Sequence, residues 1–182
     1  SPYKGLKRYN FRDRDIFFGR DALISKLVTA VNKNKLLLVL GASGCGKSSV
    51  VRAGLIPELK KNLGETQLLD FVFSPGQNPF DSPHRCLLSE DKDYSFSESE
   101  AEIALKSHPH TLVEVIQSLK PKNTRWIIFI DQFEEIFTNC TDEQRRLNFI
   151  DSIVELNQVP EESVRVVLAM RADFLEYFSS YP

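Results

Sequence analysis

The chain has 182 residues, 42% of them hydrophobic and 26% charged, the balance of a globular protein with a proper core rather than a disordered or fibrous one. A formal net charge of −2 without a basic stripe speaks against electrostatic capture of nucleic acid, and no apolar run approaches the ~20 residues of a membrane span. The N-terminal Ser-Pro-Tyr-Lys-Gly is no signal peptide, and Cys45, Cys86 and Cys140 form neither a metal pattern nor a disulfide framework, so a reducing, cytoplasmic setting is expected.

Residues 1–16, polar and aromatic with the mixed charges Arg12-Asp13-Arg14-Asp15, read as an extended lead-in to a core over 17–182. Ile16-Phe17-Phe18-Gly19-Arg20-Asp21 leads into a helix whose apolar face is Leu23, Ile24, Leu27, Val28 and Val31. Leu36–Leu40 is apolar without alternation, as in a parallel strand covered on both faces. The helix beginning at Lys47 is expected to end or kink where Gly54 and Pro57 interrupt its pattern. Leu68–Phe73 is a second strand, stopped by Ser74-Pro75-Gly76, and Pro79 suits the first turn of a short helix to about Leu88. Residues 89–96 read as a charged surface loop. Ser97-x-x-Glu100 and Thr111-x-x-Glu114 carry the capping-box pattern and announce helices near 98–107 and 112–120.

Trp126–Ile130 is the third strand. A long helix capped within Thr141-Asp142-Glu143-Gln144 runs to about Gln158, Val164–Met170 is the fourth strand, and Asp173–Ser179 starts one more helix. Lys33, Lys35, Lys60 and Lys61 read as solvated charges. Strands alternating with helices call for a doubly wound parallel sheet, and there is no internal repeat. The pattern stops soon after the fourth strand, so a fragment of a longer protein is expected.

The most specific signal lies between the first strand and its helix. Gly41-Ala-Ser-Gly-Cys-Gly46-Lys47-Ser48 fits the phosphate-loop template G-x-x-x-x-G-K-[ST] in full. Glycines let consecutive N–H groups point inward as an anion nest, and the helix that follows aims its positive end at the same anion. The nucleotide-binding set expected here is Gly41, Ser43, Gly44, Cys45, Gly46, Lys47, Ser48 and Ser49. Lys47 would reach the β- and γ-phosphates as a point charge, and the Ser48 hydroxyl would hold Mg²⁺. Cys45 sits where thiols can be activated, although a small residue filling a loop position is the simpler reading.

A phosphate loop needs an acid to order its metal. Trp126-Ile-Ile-Phe-Ile130-Asp131 supplies one at the carboxyl end of a strand, the Walker B pattern to the loop's Walker A. Hydrolysis further needs a group that orients and deprotonates water. Glu134 and Glu135 are the candidates, with Glu134 preferred; both also suit a helix start, where the dipole favours acids. Gln132 stands where many P-loop ATPases place their catalytic Glu, which leaves the choice between the two open. Arg171 ends the fourth strand. It can serve as a sensor aimed at the γ-phosphate, or it can simply cap the strand end and pair with Asp173.

Taken together, Phe-Phe-Gly-Arg-Asp at 17–21, the loop continued through Ser-Val-Val-Arg-Ala-Gly-Leu-Ile-Pro57, Pro75-Gly-Gln-Asn-Pro-Phe80, Asp131-Gln-Phe-Glu-Glu-Ile-Phe137 and Leu168-Ala-Met-Arg-Ala-Asp-Phe174 resemble the novel-STAND P-loop NTPases, signal-transduction ATPases related to the NACHT and apoptotic NTPases. The resemblance implies a three-layer αβα core of the ASCE type, with the sensor strand between the Walker A and Walker B strands. It implies that Phe18, Gly19 and Arg20 contact the adenine, that Arg171 is the sensor arginine, and that Glu134 and Glu135 occupy the acidic-pair position. It also implies a cytoplasmic switch in which ADP holds the off state, and ATP with a trigger drives homo-oligomer assembly. An effector domain and a repeat sensor, such as a WD-repeat propeller, would belong to the same polypeptide. The chain departs from that layout in lacking a fifth core strand, a helical lid, a winged-helix module and repeats, so weak or absent nucleotide binding by this segment alone is one expectation.

Two other readings compete. Initiator-type AAA+ ATPases share the Gly-Arg-acid turn and act on nucleic acid, but the basic surface they need is missing here. A scaffold that retains nucleotide without turnover is disfavoured by the intact Asp131, Glu134 and Glu135. A transporter ATPase would carry a Leu-Ser-Gly-Gly stretch, which this sequence lacks.

Overall fold

A computed structural model describes residues 6–10, 19–63, 67–87, 96–109, 111–159 and 163–179, apart from the His84 side chain. Phe18 and most of the expected loop at 89–96 lie outside the described residues. Five strands form one all-parallel sheet: β1 (Leu6–Asn10), β2 (Leu36–Gly41), β3 (Leu68–Phe73), β4 (Arg125–Ile130) and β5 (Val164–Arg171), in the spatial order β1-β2-β5-β4-β3. The expected strands appear, and β5 lies between β2 and β4.

The unalternating apolar runs are explained by burial on both faces. Leu36, Leu38 and Leu40 of β2 face one core, joined by Trp126, Ile128 and Ile130 of β4 and by Val166, Leu168 and Met170 of β5. The intervening Leu37, Val39, Ile127, Phe129, Val167 and Ala169 face a second core. The first core is covered by α5 (Glu98–Ser107), α6 (Leu112–Leu119) and α8 (Glu143–Gln158), with α4 (Asp81–Leu87) at its margin. The second is covered by α1 (Arg20–Lys33) and the helical run from Lys47 to Leu63. The result is a three-layer αβα fold. Among the described residues no helix is long and apolar enough to cross a membrane.

The structure departs from the sequence reading in four places. The lead-in contains a strand: β1 pairs in parallel with β2 from Leu6↔Leu36 to Asn10↔Leu40. Its sequence, Leu-Lys-Arg-Tyr-Asn, has no apolar run because an edge strand is held by main-chain ladder bonds, with only Leu6 and Tyr9 packed against the cores.

The expected break near Gly54 and Pro57 is a change of pitch, not an end. Helix α2 (Lys47–Val50) passes through a π-helical turn, Val51–Leu55, into α3 (Ile56–Leu63), and Ile56 N–H reaches back five residues to the Val51 carbonyl. A wider turn accommodates a proline that lacks an N–H and whose ring crowds the carbonyl one turn back. Gly54 lies where α1 crosses: a Cβ there would stand 2.6 Å from Ile24 Cδ1 and 2.9 Å from Ile24 Cγ1.

The two capping-box patterns diverge. Ser97 makes both bonds, with Glu100 N–H donating to its hydroxyl and Ser97 N–H donating to the Glu100 carboxylate. The Ser97 backbone bond, and secondarily its hydroxyl, hold the Glu100 carboxyl below its ordinary value. That cap is therefore intact at neutral pH and loses its charge-assisted half as pH falls through the lowered value. Thr111 makes no such bond, and its Oγ1 is buried without a partner. The carboxylate that would close the box, Glu114, instead meets His108 Nδ1 at 2.7 Å. Last, two of the lysines read as solvated are tied down. Lys60 pairs with Asp70 of β3 at 2.5 Å, and Lys35 donates to the Val159 carbonyl.

Candidate nucleotide site

The carboxyl ends of β2, β4 and β5 open into a cleft of about 350 Å³, lined by the loop from Ser43 to Ser49 and by Asp131, Gln132, Glu134, Ala169 and Arg171. Parallel pairing brings these together. The β2–β5 register sets Gly41 beside Arg171, and Ile130 at the end of β4 pairs with Leu168 of β5.

The loop is shaped by its glycines. Gly44 (φ 74°) and Gly46 (φ 90°) take left-handed conformations that side chains rarely adopt, and Gly46 is the residue from which α2 starts. Cys45 N–H donates to the Ala42 carbonyl and Val50 N–H to the Gly46 carbonyl. The Lys47 ammonium folds across the loop onto the carbonyls of Gly41 (3.0 Å) and Ala42 (2.7 Å), with Cys45 Sγ at 3.7 Å. These are half-exposed contacts that an incoming phosphate can replace.

Asp131 is buried, 5% exposed, and both of its carboxylate oxygens have polar partners. Its Oδ1 accepts from the Ser48 hydroxyl (2.7 Å) and from Gln132 N–H (2.9 Å); its Oδ2 faces Arg52 Nη2 at 3.3 Å. The backbone around it is fixed from both sides, since Asp131 N–H donates to the Phe73 carbonyl of β3 and Phe133 N–H to the Ala169 carbonyl of β5. Holding that turn requires Gln132 at φ 48°, the one non-glycine left-handed residue among those described. Such a conformation costs roughly 1–2 kcal/mol and tends to occur where geometry is over-determined, as at functional sites.

The acids that follow part company. Glu134 lines the cleft, and its Oε2 lies 3.4 Å from Arg171 N–H as acceptor. Glu135, at the start of α7 (Glu135–Thr138), points the other way and accepts from Gly76 N–H at 3.0 Å, tying the turn after β3 to the turn after β4. Arg171 forms a two-pronged pair with Asp173 (Nε–Oδ1 3.2 Å, Nη2–Oδ2 2.7 Å) and lies over the Phe174 ring at 5.3 Å. Arg171 thus lines the cleft while its side chain pairs with Asp173.

Gly19 (φ 136°) precedes α1, and Arg20 opens it. Neither lines the cleft. Arg20 runs beside the π turn, its Nε 4.0 Å from where a Cβ on Gly54 would stand. Phe18, the third member of the expected adenine contact, is outside the described residues. Arg52 is the charged group that the motif reading passed over. Its position one helical turn after Ser48 was a usable signal, because residues four apart share a helix face.

A Gly-rich loop between strand and helix, a buried strand-end carboxylate beside its Ser, and a parallel αβα sheet define a nucleotide-binding P-loop NTPase core. More closely, the chain belongs to the Novel STAND NTPase 1 family, whose model matches residues 2–182. A stretch of 42 residues is 38% identical to the phosphate import ATP-binding protein PstB 2 of Shouchella clausii (strain KSM-K16), covering 23% of this chain and 16% of that protein. The fold resembles that of the ORC2 protein of Aeropyrum pernix, whose structure is of ADPNP–ADP complexes, with a TM-score of 0.55 and 9% sequence identity over 88% of this chain. The chain spans 44% of that structure, less than half its length.

Proposed function

We propose that this chain is the ATP-binding and slowly hydrolysing core of a multidomain signal-transduction switch, off with ADP and on with ATP. The observation that carries this reading is the placement of Arg171. It stands in register with Gly41 at the head of the phosphate loop and is held by a carboxylate on the exposed rim. An arginine poised there can exchange Asp173 for a γ-phosphate, so a triphosphate gains a bond that a diphosphate lacks.

The geometry supports the remaining roles as follows. The loop from Gly41 to Ser49 holds the phosphates through its N–H groups, and Lys47 leaves its carbonyls to contact the β- and γ-phosphates. Ser48 and Asp131 present hard oxygens to one point, a donor set that suits Mg²⁺. Bound magnesium would neutralise charge on the phosphate oxygens during transfer. Glu134 is the catalytic base because it faces the cleft; Glu135 positions the turn. Gln132 lines the cleft in the same turn and stands where many P-loop ATPases place their catalytic Glu. The adenine contact is assigned to Phe18, Gly19 and Arg20 on the family resemblance, and of these Arg20 runs beside the π turn. Effector and repeat-sensor domains, homo-oligomer assembly and a cytoplasmic setting complete the switch, and nucleic acid has no part in it.

The test is to identify the nucleotide that the protein retains on purification and to follow phosphate release with and without DNA. Retained ADP and slow release indifferent to DNA are expected. DNA-stimulated release would overturn the switch in favour of an ATPase acting on nucleic acid, and retained nucleotide with no release at all would favour a scaffold.

A further inference from the structure

Asp131 is a buried acid with two differently used oxygens. Oδ1 is fully engaged by Ser48 and the Gln132 N–H, whereas Oδ2 is met by the Arg52 guanidinium. Arg52 is not a buried structural charge: its side chain is 52% exposed against 7% for that of Asp131. It reaches in from solvent, with its Cζ 6.0 Å from the centre of the Phe129 ring. It is not among the residues that line the phosphate cleft, and it meets Asp131 at Oδ2 while Ser48 meets Oδ1.

We propose that Arg52 is a positioning residue that holds the Asp131 carboxylate beside Ser48 in the absence of metal and opposes divalent-cation binding at that carboxylate. The inference rests on the nucleotide-binding reading above. A cation at Ser48 and Asp131 shares the carboxylate with a positive charge already within 3.3 Å of it, so the metal binds against electrostatic repulsion unless Arg52 withdraws. Half exposure makes that withdrawal inexpensive, because water and salt screen the departing guanidinium. The consequence is a site that takes up nucleotide readily without metal and becomes metal-loaded only at raised Mg²⁺. It therefore separates binding from commitment to hydrolysis.

The experiment measures binding of N-methylanthraniloyl-ADP by fluorescence to the wild-type protein, Arg52→Gln and Arg52→Lys, first in EDTA and then across a Mg²⁺ concentration series. In EDTA all three bind alike, because the phosphate loop is untouched. The Mg²⁺ midpoint falls by about 3–10-fold in Arg52→Gln, the range for a screened charge close to a carboxylate, while Arg52→Lys, which keeps the charge, stays near wild type. A midpoint in Arg52→Gln that is unchanged or raised overturns the proposal, as does an equal shift in Arg52→Lys, which would point to packing on Phe129 instead of charge. Failure of the wild-type protein to bind the nucleotide in either condition removes the underlying reading as well, and is distinguishable from the other outcomes.

Discussion

The two halves of the cleft are built by different means. The loop from Gly41 to Ser48 is a local object: two left-handed glycines, a helix start, and a lysine bonded to carbonyls five and six residues back. The turn from Asp131 to Glu135 has no such self-sufficiency. Each of its acids is met by a distant partner: Asp131 by Ser48 and Arg52, Glu134 by the Arg171 N–H, Glu135 by the Gly76 N–H. The lesson is that an anion site made of backbone N–H groups is specified by neighbours in sequence, whereas the task of a carboxylate is set by what the sheet places opposite it.

The sharpest way to break this comparison is to change the adjacent acids one at a time. Glu134→Gln should lower the phosphate-release rate by about 10²–10⁴-fold, the usual weight of a general base, while leaving nucleotide affinity and melting temperature near wild type. Glu135→Gln should instead cost about 1 kcal/mol of stability, a melting shift of roughly 2–4 °C, by weakening the bond to Gly76. Activity loss confined to Glu135→Gln would reverse the assignment and show that the turn is read differently in the working protein.

Lys47→Ala probes the other half. It should weaken ADP binding by at least about 100-fold in calorimetry with no loss of fold, since among the described residues the Lys47 ammonium bonds to loop atoms. Retained affinity would mean that the backbone nest alone holds the phosphates.

Gly54→Ala asks whether the loop half is as local as its bonds suggest. A Cβ inside 3 Å of Ile24 must displace the end of that side chain or push α1 away from the helical run, at a cost of about 1–3 kcal/mol in denaturant unfolding. If α1 carries the adenine contact, ADP affinity should fall along with stability. A stability loss with affinity intact would detach Gly19 and Arg20 from the site.

The smallest effect is expected from Asp173→Asn. Releasing Arg171 from an exposed pair should favour ATP over ADP by no more than about 5-fold, because such pairs are worth at most ~1 kcal/mol. A shift of equal size for both nucleotides would remove the sensor role from Arg171.

The same divide governs how much could be read before the structure. The strand–loop–helix around Gly41–Ser48 was legible because glycines, Lys and Ser at fixed spacing have one physical use. The apolar strands were legible because burial on both faces removes alternation. Strand β1 was not, since an edge strand of Leu-Lys-Arg-Tyr-Asn is held by main-chain bonds that leave no side-chain pattern. Thr111 satisfied the capping-box rule in spacing and failed it in space: its hydroxyl takes no capping bond, and the Glu114 carboxylate meets His108.

Sequence alone determined the chemistry on offer: a phosphate loop, a strand-end acid, a pair of acids and a strand-end arginine. Tertiary structure decided the placements. It set Glu134 on the cleft and Glu135 on the Gly76 N–H, brought Arg52 onto Asp131, and put Arg171 in register with Gly41 and in a pair with Asp173. The physical reason is range. Backbone conformation responds to residues a few positions away, whereas the field at a side chain sums over every group the fold brings near, whatever its place in the chain.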